Sequence, residues 1–350
     1  MLTTKKTFTL STVSLLLCIS ALSAAANADQ AQSAKLISET SPVFPFEYRK
    51  AEIEGWVQLS YVVDEQGKVK DTLIHDSTGH ALFEQSALQA VQKWQYQPAN
   101  VNGTPVPQSF NAVTLNFRLD NSNNYDDNQR STDVNKRFLS RFQKGMNAIE
   151  KGNLKDAAKK IKQLRERDKR KWIESSYLWV LEGYYFEKQG DTVNAAKSFA
   201  KVMHNGSDVL PRAVYVEVLK KAFIANIMNN NLSEAVTVYE TFESFAADHE
   251  ALKNLAPYYQ QAKDFLNGEQ PLEVVGVLPQ VGLWHHKISK SELLLSSAEN
   301  PLDAVHLRCD HQQVEYQKVI QQSINIEPHW GQCVVYVEGV AGTQFLVTES

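Results

Sequence analysis

Between Trp56 and Leu119 the hydrophobic period switches from two to 3.6 and back to two, and few small folds satisfy that order. Val57, Leu59, Tyr61 and Val63 alternate with Gln58 and Ser60, which reads as a half-buried strand. Asp64-Glu65-Gln66-Gly67-Lys68 supplies a turn in which Gly67 is free to take a positive φ, and Val69 to His75 returns as the second strand of a hairpin. After Ser77-Thr78-Gly79, apolar residues fall at Phe83, Ala87, Ala90, Val91 and Trp94, one face of a helix that Pro98 stops. Asn102-Gly103 turns the chain into a last strand, where Val113, Leu115, Phe117 and Leu119 are set against Thr114, Asn116 and Arg118, burying one face and wetting the other. Three strands under one helix leave a sheet edge with unpaired N–H and C=O groups, which an extended peptide, the domain's own flank or a second copy of the chain can satisfy.

The motifs along this stretch resemble a family. Pro42-Val43-Phe44-Pro45, Ile53-Glu54-Gly55-Trp56-Val57, the Val63 to Gly67 turn, the Phe83 to Ala90 helix start, Trp94-Gln95-Tyr96-Gln97-Pro98-Ala99 and Asn102-Gly103-Thr104-Pro105-Val106 occur in the order of the carboxyl-terminal domain of TonB energy transducers. The resemblance implies a periplasmic β-β-α-β domain that receives a short peptide of an outer-membrane receptor beside its last strand. By position the accepting residues are Phe110, Ala112, Val113, Thr114, Leu115, Asn116, Phe117 and Arg118. Trp56, Trp94 and Tyr96 read as core aromatics. The order of parts departs from that of an energy transducer, whose anchor carries a histidine and leads through a long proline-rich spacer to a receptor-binding domain that comes last. No histidine precedes His75 here, and more than two hundred residues follow the domain.

Asp120 to Asp133 is polar and without period, hence a linker. Beyond it Phe142, Gly145, Ala148, Gly152-Asn153, Ala157 recurs loosely as Leu181, Gly183, Phe186, Gly190-Asp191, Ala195 and as Phe223, Ala225, Asn230-Asn231, Ala235. That spacing resembles degenerate tetratricopeptide-type repeats, stacked helix pairs whose concave side holds a second protein or peptide; a bundle without a groove is the alternative. The basic run Lys159 to Lys171 reads as a solvated helix face. From Pro271 the pattern changes to short apolar runs, Val274 to Leu278, Leu283 to Ile288, Leu293 to Leu295, Val305 to Cys309, Val334 to Val337 and Gln344 to Val347. Gly276, Gly282, Gly331, Gly339 and Gly342 punctuate them, and Gly339-Val340-Ala341-Gly342 fits a hairpin loop.

The expected architecture is therefore α+β and multidomain: signal peptide 1–28, TonB-like β-β-α-β domain 29–120, polar linker 121–136, α-helical repeat region 137–268 and small antiparallel β domain 271–350. Lys5-Lys6, an apolar run from Phe8 to Leu22 and Ala26-Asn27-Ala28 compose the signal peptide, with an uncleaved inner-membrane anchor as the alternative. Cleavage would remove Cys18 and two lysines but no acid, moving the formal charge from −4 to −6. That balance argues against a nucleic-acid partner. In an oxidising periplasm Cys309 and Cys333 are expected to form a disulfide that stabilises by about 3 to 4 kcal/mol. His285-His286 and His306, Cys309, His311 are the arrangements nearest to a metal site. On a strand, however, 306 points away from 309 and 311, so neither metal nor cofactor is expected. With no phosphate-cradling loop, paired-carboxylate motif or triad spacing, an enzyme is not expected either. The expected partners are an outer-membrane TonB-dependent receptor or Ton-system protein at the edge, and a second protein at the repeats. A homodimer through the edge stays open.

Overall fold

The computed structural model describes residues 31–119, 134–167, 170–204, 206–279, 283–297, 300–317 and 321–350. The expected signal peptide and the Asp120 to Asp133 linker lie outside them, as does Gly282. The chain is α+β, with a small sheet-and-helix domain first, helices in the middle and antiparallel sheets at the end. The first part comprises β1 (Ala31–Gln32), β2 (Lys35–Ser38), α1 (Phe46–Lys50), β3 (Gly55–Val63), β4 (Val69–Ser77), α2 (Ala81–Val91), β5 (Gln95–Gln97), β6 (Ala99–Val101), β7 (Thr104–Val106) and β8 (Gln108–Phe117). Its main sheet has the order β4-β3-β8, with β3 antiparallel to both neighbours. Val57, Leu59, Tyr61 and Val63 pack on Phe83, Ala87 and Val91 of α2, so the 3.6-residue stripe meets the two-residue alternation in one core. The helix stops at Val91, earlier than Pro98 requires. Trp94 and Tyr96 enter the core from the turn and strand that follow, and Trp94 Nε1 donates to the Thr40 carbonyl at 2.9 Å.

The helices are α3 (Lys136–Glu150), α4 (Leu154–Arg165), α5 (Trp172–Gln189), α6 (Thr192–Met203), α7 (Gly206–Val209), α8 (Arg212–Met228), α9 (Leu232–Ala246) and α10 (Glu250–Asn267). The recurrent turn positions join α3 to α4, α5 to α6 and α8 to α9. Gly152, Gly190 and Asn230 take φ of 71°, 77° and 55°, the left-handed conformation that ends a helix. Asn153 and Asp191 then cap the next helix by accepting from Asp156 N and Asn194 N. Ala157, Ala195 and Ala235 are fully buried where the paired helices touch.

The last part holds β9 (Leu272–Val277), β10 (Leu283–Lys287), β11 (Glu292–Ser297), β12 (Leu302–Cys309), β13 (Gln313–Gln317), β14 (Ser323–Asn325), β15 (Cys333–Gly339) and β16 (Gln344–Glu349). They form two four-stranded antiparallel sheets, β10-β15-β12-β13 and β14-β11-β16-β9, around a shared core. Cys309 and Cys333 lie opposite each other on β12 and β15 and are disulfide-bonded. Two expectations fail here. Gly339 to Gly342 is not a hairpin loop, because β15 and β16 belong to different sheets and the turn crosses between them. Gly276 does not punctuate a strand but lies inside β9, where a Cβ would overlap the Phe345 ring.

The reading of β3 as half-buried is also corrected. Eight of its nine residues are buried, on both faces. Away from α2, Trp56 meets Trp179 of α5 and His204 after α6, at ring separations of 5.9 and 4.6 Å. Ser60 Oγ accepts from Arg308 Nη1 of β12 at 2.9 Å, and Ser109 Oγ of β8 accepts from Gln313 Nε2 of β13 at 3.1 Å. His75 of β4 stacks on His285 of β10 at 4.8 Å and lies 5.0 Å from the Tyr336 ring of β15. Lys201 of α6 pairs with Asp76 at 3.0 Å. The β4-β3-β8 sheet is thus sandwiched between its own helix and a joint formed by the carboxyl-terminal sheet and the helices.

Two predictions follow from this packing. Gly67 has φ 77°, and a Cβ there would overlap the Tyr96 carbonyl oxygen, whose own N–H donates to Gly67 O at 2.8 Å. Gly67→Ala should therefore cost at least about 2 kcal/mol in equilibrium urea unfolding; an unchanged midpoint would refute the close approach. The second concerns pH. Burial, then the nearby His285, Arg308 and His204, push the His75 imidazole down to about 2. His285 is pushed down to about 4, by burial first, with Asp76 opposing and Lys197 assisting. Although its ring packs on His75 and Tyr336 in the joint, His285 keeps part of its surface in solvent, so water offsets much of its depression and His75 dominates. The unfolded chain takes up the proton near about pH 6.5 and the folded chain does not. Below that pH the unfolded state binds more protons, so the stabilisation is complete above about pH 6.5 and falls as the solution is acidified. Unfolding free energy should drop by at most about 2 kcal/mol between about pH 6.5 and about pH 5, and by less in His75→Phe. An equal drop in both proteins would remove His75 as the cause.

Candidate functional site

β8 ends its sheet, so its outer edge is the feature the sequence singled out. Phe117, Asn116, Leu115, Thr114 and Val113 pair with Gly55, Trp56, Val57, Gln58 and Leu59 without interruption. A bulge then intervenes before Phe110 pairs with Tyr61, and Ala112 falls in it. Leu115 and Phe117 are buried toward α2, and the Phe117 ring stacks on Phe83 at 4.3 Å. Asn116 is exposed, while Val113 and Thr114 are half-buried. Phe110 stacks on Tyr61 at 5.2 Å, and Tyr61 Oη lies 2.5 Å from Tyr96 Oη. Burial, reinforced by the Tyr96 contact, raises the Tyr61 phenol far above its ordinary range, so this pair stays neutral.

The eight candidate residues do not form one uniform edge. Val113 to Phe117 compose a regular stretch, whereas Arg118 lies beyond the strand and faces the helices. Its Nη2 meets Asp208 Oδ2 at 3.0 Å, and its guanidinium sits 4.5 Å from the centre of the Trp172 ring. Next to it, Glu54 accepts from Leu119 N at 2.9 Å with one carboxylate oxygen and from Trp172 N at 3.0 Å with the other. A carboxylate at the first turn of α5 complements the helix dipole and fixes the end of β8 against it. The opposite edge of the sheet, β4, is less regular. It is bulged twice against β3, and Asp71 takes φ 49° in one of the bulges. The sequence reading missed this joint-side anchoring, although Trp56 and Val62 share the face of Ser60 and are apolar signals for a second covered face.

The histidine clusters resolve into separate contacts. Adjacent on β10, His285 turns to the joint, and His286 turns inward, where its Nε2 lies 2.6 Å from Glu349 Oε1. Glu349 also accepts from Ser289 N and Lys290 N, and these bonds outweigh burial to hold its carboxyl below the usual range. His306 Nε2 lies 3.2 Å from Glu338, and Cys309 is committed to its disulfide. Among the described residues no three His, Cys, Asp or Glu side chains converge as metal ligands. Also among them, no helix is long and apolar enough to cross a membrane.

With the edge and its flanks placed, the comparisons with known proteins fall on the same stretch. Residues 40–119 match the family model for the Gram-negative bacterial TonB protein C-terminal region. Protein TonB of Vibrio cholerae is 33% identical over 84 residues, which is 24% of this chain and 34% of that protein. Protein TonB of Yersinia enterocolitica is 30% identical over 63 residues, 18% of this chain and 25% of that protein. The chain thus spans about a third or less of the length of these curated relatives. The solution structure of the Pseudomonas aeruginosa TonB carboxyl-terminal domain aligns with 22% identity over 26% of this chain and 92% of that one, at a TM-score of 0.24. The Vibrio anguillarum TonB2 structure aligns with 29% identity over 33% of this chain and 99% of that one, at a TM-score of 0.21. Residues 40–119 belong to the TonB carboxyl-terminal domain family.

Proposed function

We propose that this protein acts in the periplasm, in support of TonB-dependent transport, by taking an extended segment of an outer-membrane receptor or Ton-system protein along the outer edge of β8. The observation that carries the reading is geometric. Both faces of the β4-β3-β8 sheet are covered, and the stretch Val113 to Phe117 is the longest regular edge the sheet has left. Strand addition needs only that edge, because main-chain hydrogen bonds supply the affinity and alternate side chains the selectivity. Asn116 then faces solvent beside the incoming strand, while Leu115 and Phe117 keep β8 seated on α2.

A second reading has its own support. The second face of the sheet is docked on the chain's own helices and carboxyl-terminal sheet, which suits a periplasmic scaffold whose TonB-like domain pairs with a second copy and whose helices hold a partner, without energy transduction.

One experiment separates the two. Calorimetric titration of the full chain with synthetic receptor TonB-box peptides should give saturable heat. Two versions of the best peptide, N-methylated at alternate residues in the two registers, should differ at least about tenfold in affinity, because only one set of amides points at β8. Equal affinities would exclude strand addition. No heat with any peptide, together with a concentration-dependent dimer in light scattering, would establish the scaffold reading in its place.

A further inference from the structure

The formal charge of the chain is unevenly spread. The whole chain carries −4, yet residues 134–171 hold fourteen lysines and arginines against four acids. That segment is the α3–α4 pair with the turn into α5. On α4, Lys155, Lys159 and Lys162 are exposed at i, i+4 and i+7, one face of the helix. The acids within reach do little to neutralise it. Lys162 meets Glu166 at 3.7 Å as a solvent-exposed pair along the helix, and the half-buried Lys160 meets Asp156 at 3.6 Å, off the exposed face. The half-buried Arg170 donates to the last carbonyls of α4, those of Leu164 and Arg165, and so offsets the negative end of that helix's dipole.

This face borders a cavity of about 290 Å³ between α4 and α5, lined by Ala158, Ile161, Lys162, Arg165, Glu182, Tyr185 and Phe186. Its floor is apolar and aromatic. Its one acid, Glu182, is nearly buried and bound by Arg165 Nε at 2.6 Å, so the pocket presents no net negative charge. The rest of the Arg165 side chain and Lys162 remain exposed on the rim. An apolar hole with a cationic rim is complementary to a large apolar side chain flanked by carboxylates.

We propose that the α4–α5 groove docks an acidic segment of a partner protein, anchored by one large apolar or aromatic residue inserted between Ala158, Ile161 and Phe186, with its carboxylates on Lys155, Lys159, Lys162 and Arg165. Two features select a polypeptide over an anionic bilayer. The cavity is concave and sized for a side chain, which a plane of headgroups leaves empty. Two of the cations, Lys162 and Arg165, also stand in the cavity wall itself, where carboxylates flanking an inserted side chain meet them and a plane of headgroups does not. Rim charges of this kind act on encounter and selectivity, and the buried anchor sets the dissociation rate. The site is independent of β8, so its failure and that of the strand-addition reading are separate events.

The test uses the full chain and a displayed random-peptide library. Peptides recovered on the wild-type protein should combine several acids with a central large apolar residue. They should lose affinity as salt is raised, and by about tenfold or more on the Lys159→Glu, Lys162→Glu double variant. Ala158→Leu, which fills the floor without changing charge, should weaken the same peptides, and replacing their apolar anchor by alanine should do likewise. Thermal unfolding of the variants keeps loss of fold separate from loss of binding. A recovered set without acidic enrichment, or one bound equally by the double variant, overturns the proposal. So does flotation of the chain with phosphatidylglycerol vesicles that depends on Lys159 and Lys162 when no peptide is recovered.

Discussion

The interaction on which the rest depends is the burial of β3 on both faces. A three-stranded sheet with one helix can satisfy only one side of its central strand, and here the other side carries Trp56, Ser60 and Val62, none of which meets solvent. Burying an aromatic of this size contributes on the order of 4 kcal/mol before ordering costs, so the second face must find a cover. That cover comes from far along the chain. Arg308, which donates to Ser60, is 248 residues away, and Trp179 and His204 come from the helices between. The unmet half of one strand thus draws in residues of both other regions, which also pack directly on each other through Leu232 and Ala262.

The two covers differ in kind. Toward α2 the contact is apolar and aromatic, with Phe83, Phe117, Tyr61 and Trp94 in one cluster. Toward the carboxyl-terminal sheet it is made of hydroxyls, an amide, a guanidinium and stacked imidazoles. Net hydrogen-bond gains of about 1 kcal/mol each make such a joint a modest source of stability. Their direction matters more, because Arg308 to Ser60 and Gln313 to Ser109 fix how one sheet lies over the other. Glu54 adds a third fixed point by binding Leu119 N and Trp172 N together. The edge of β8 is therefore held on a base of defined orientation.

Local order was legible in the sequence and long-range cover was not. The switches of hydrophobic period placed β3, β4, α2 and β8, because a period reports which side chains share a face. The left-handed turns at Gly152, Gly190 and Asn230, and the alanines after them, were visible because backbone conformation and close helix approach restrict residue type. β13 and β14 escaped, being short segments at the ends of their sheets: Gln313–Gln317 and Ser323–Asn325 contain few apolar residues. The crossing from β15 to β16 escaped because a glycine turn has the same composition whether it closes a hairpin or passes between sheets. Ser60 and Gln58 read as wet since a polar side chain looks alike facing water or facing Arg308.

The same constraint that hides a face exposes an edge. Once α2 and the joint have taken the two faces, further association through this sheet has only main-chain groups to use, and the two edges are unequal. β4 is interrupted at His75 and again near Asp71, and each bulge disturbs the even spacing of donors and acceptors that an added strand requires. β8 is interrupted once, and from Val113 to Phe117 it is regular, a stretch of about 17 Å. An incoming segment of roughly five residues matches that length. Its side chains would alternate between solvent and the rim of the α2 core, so selection acts on every second residue. A recognition element that short gives modest affinity, because few residues are ordered and few bonds are made. On the proposed strand addition, such an edge would favour an engagement that is readily released.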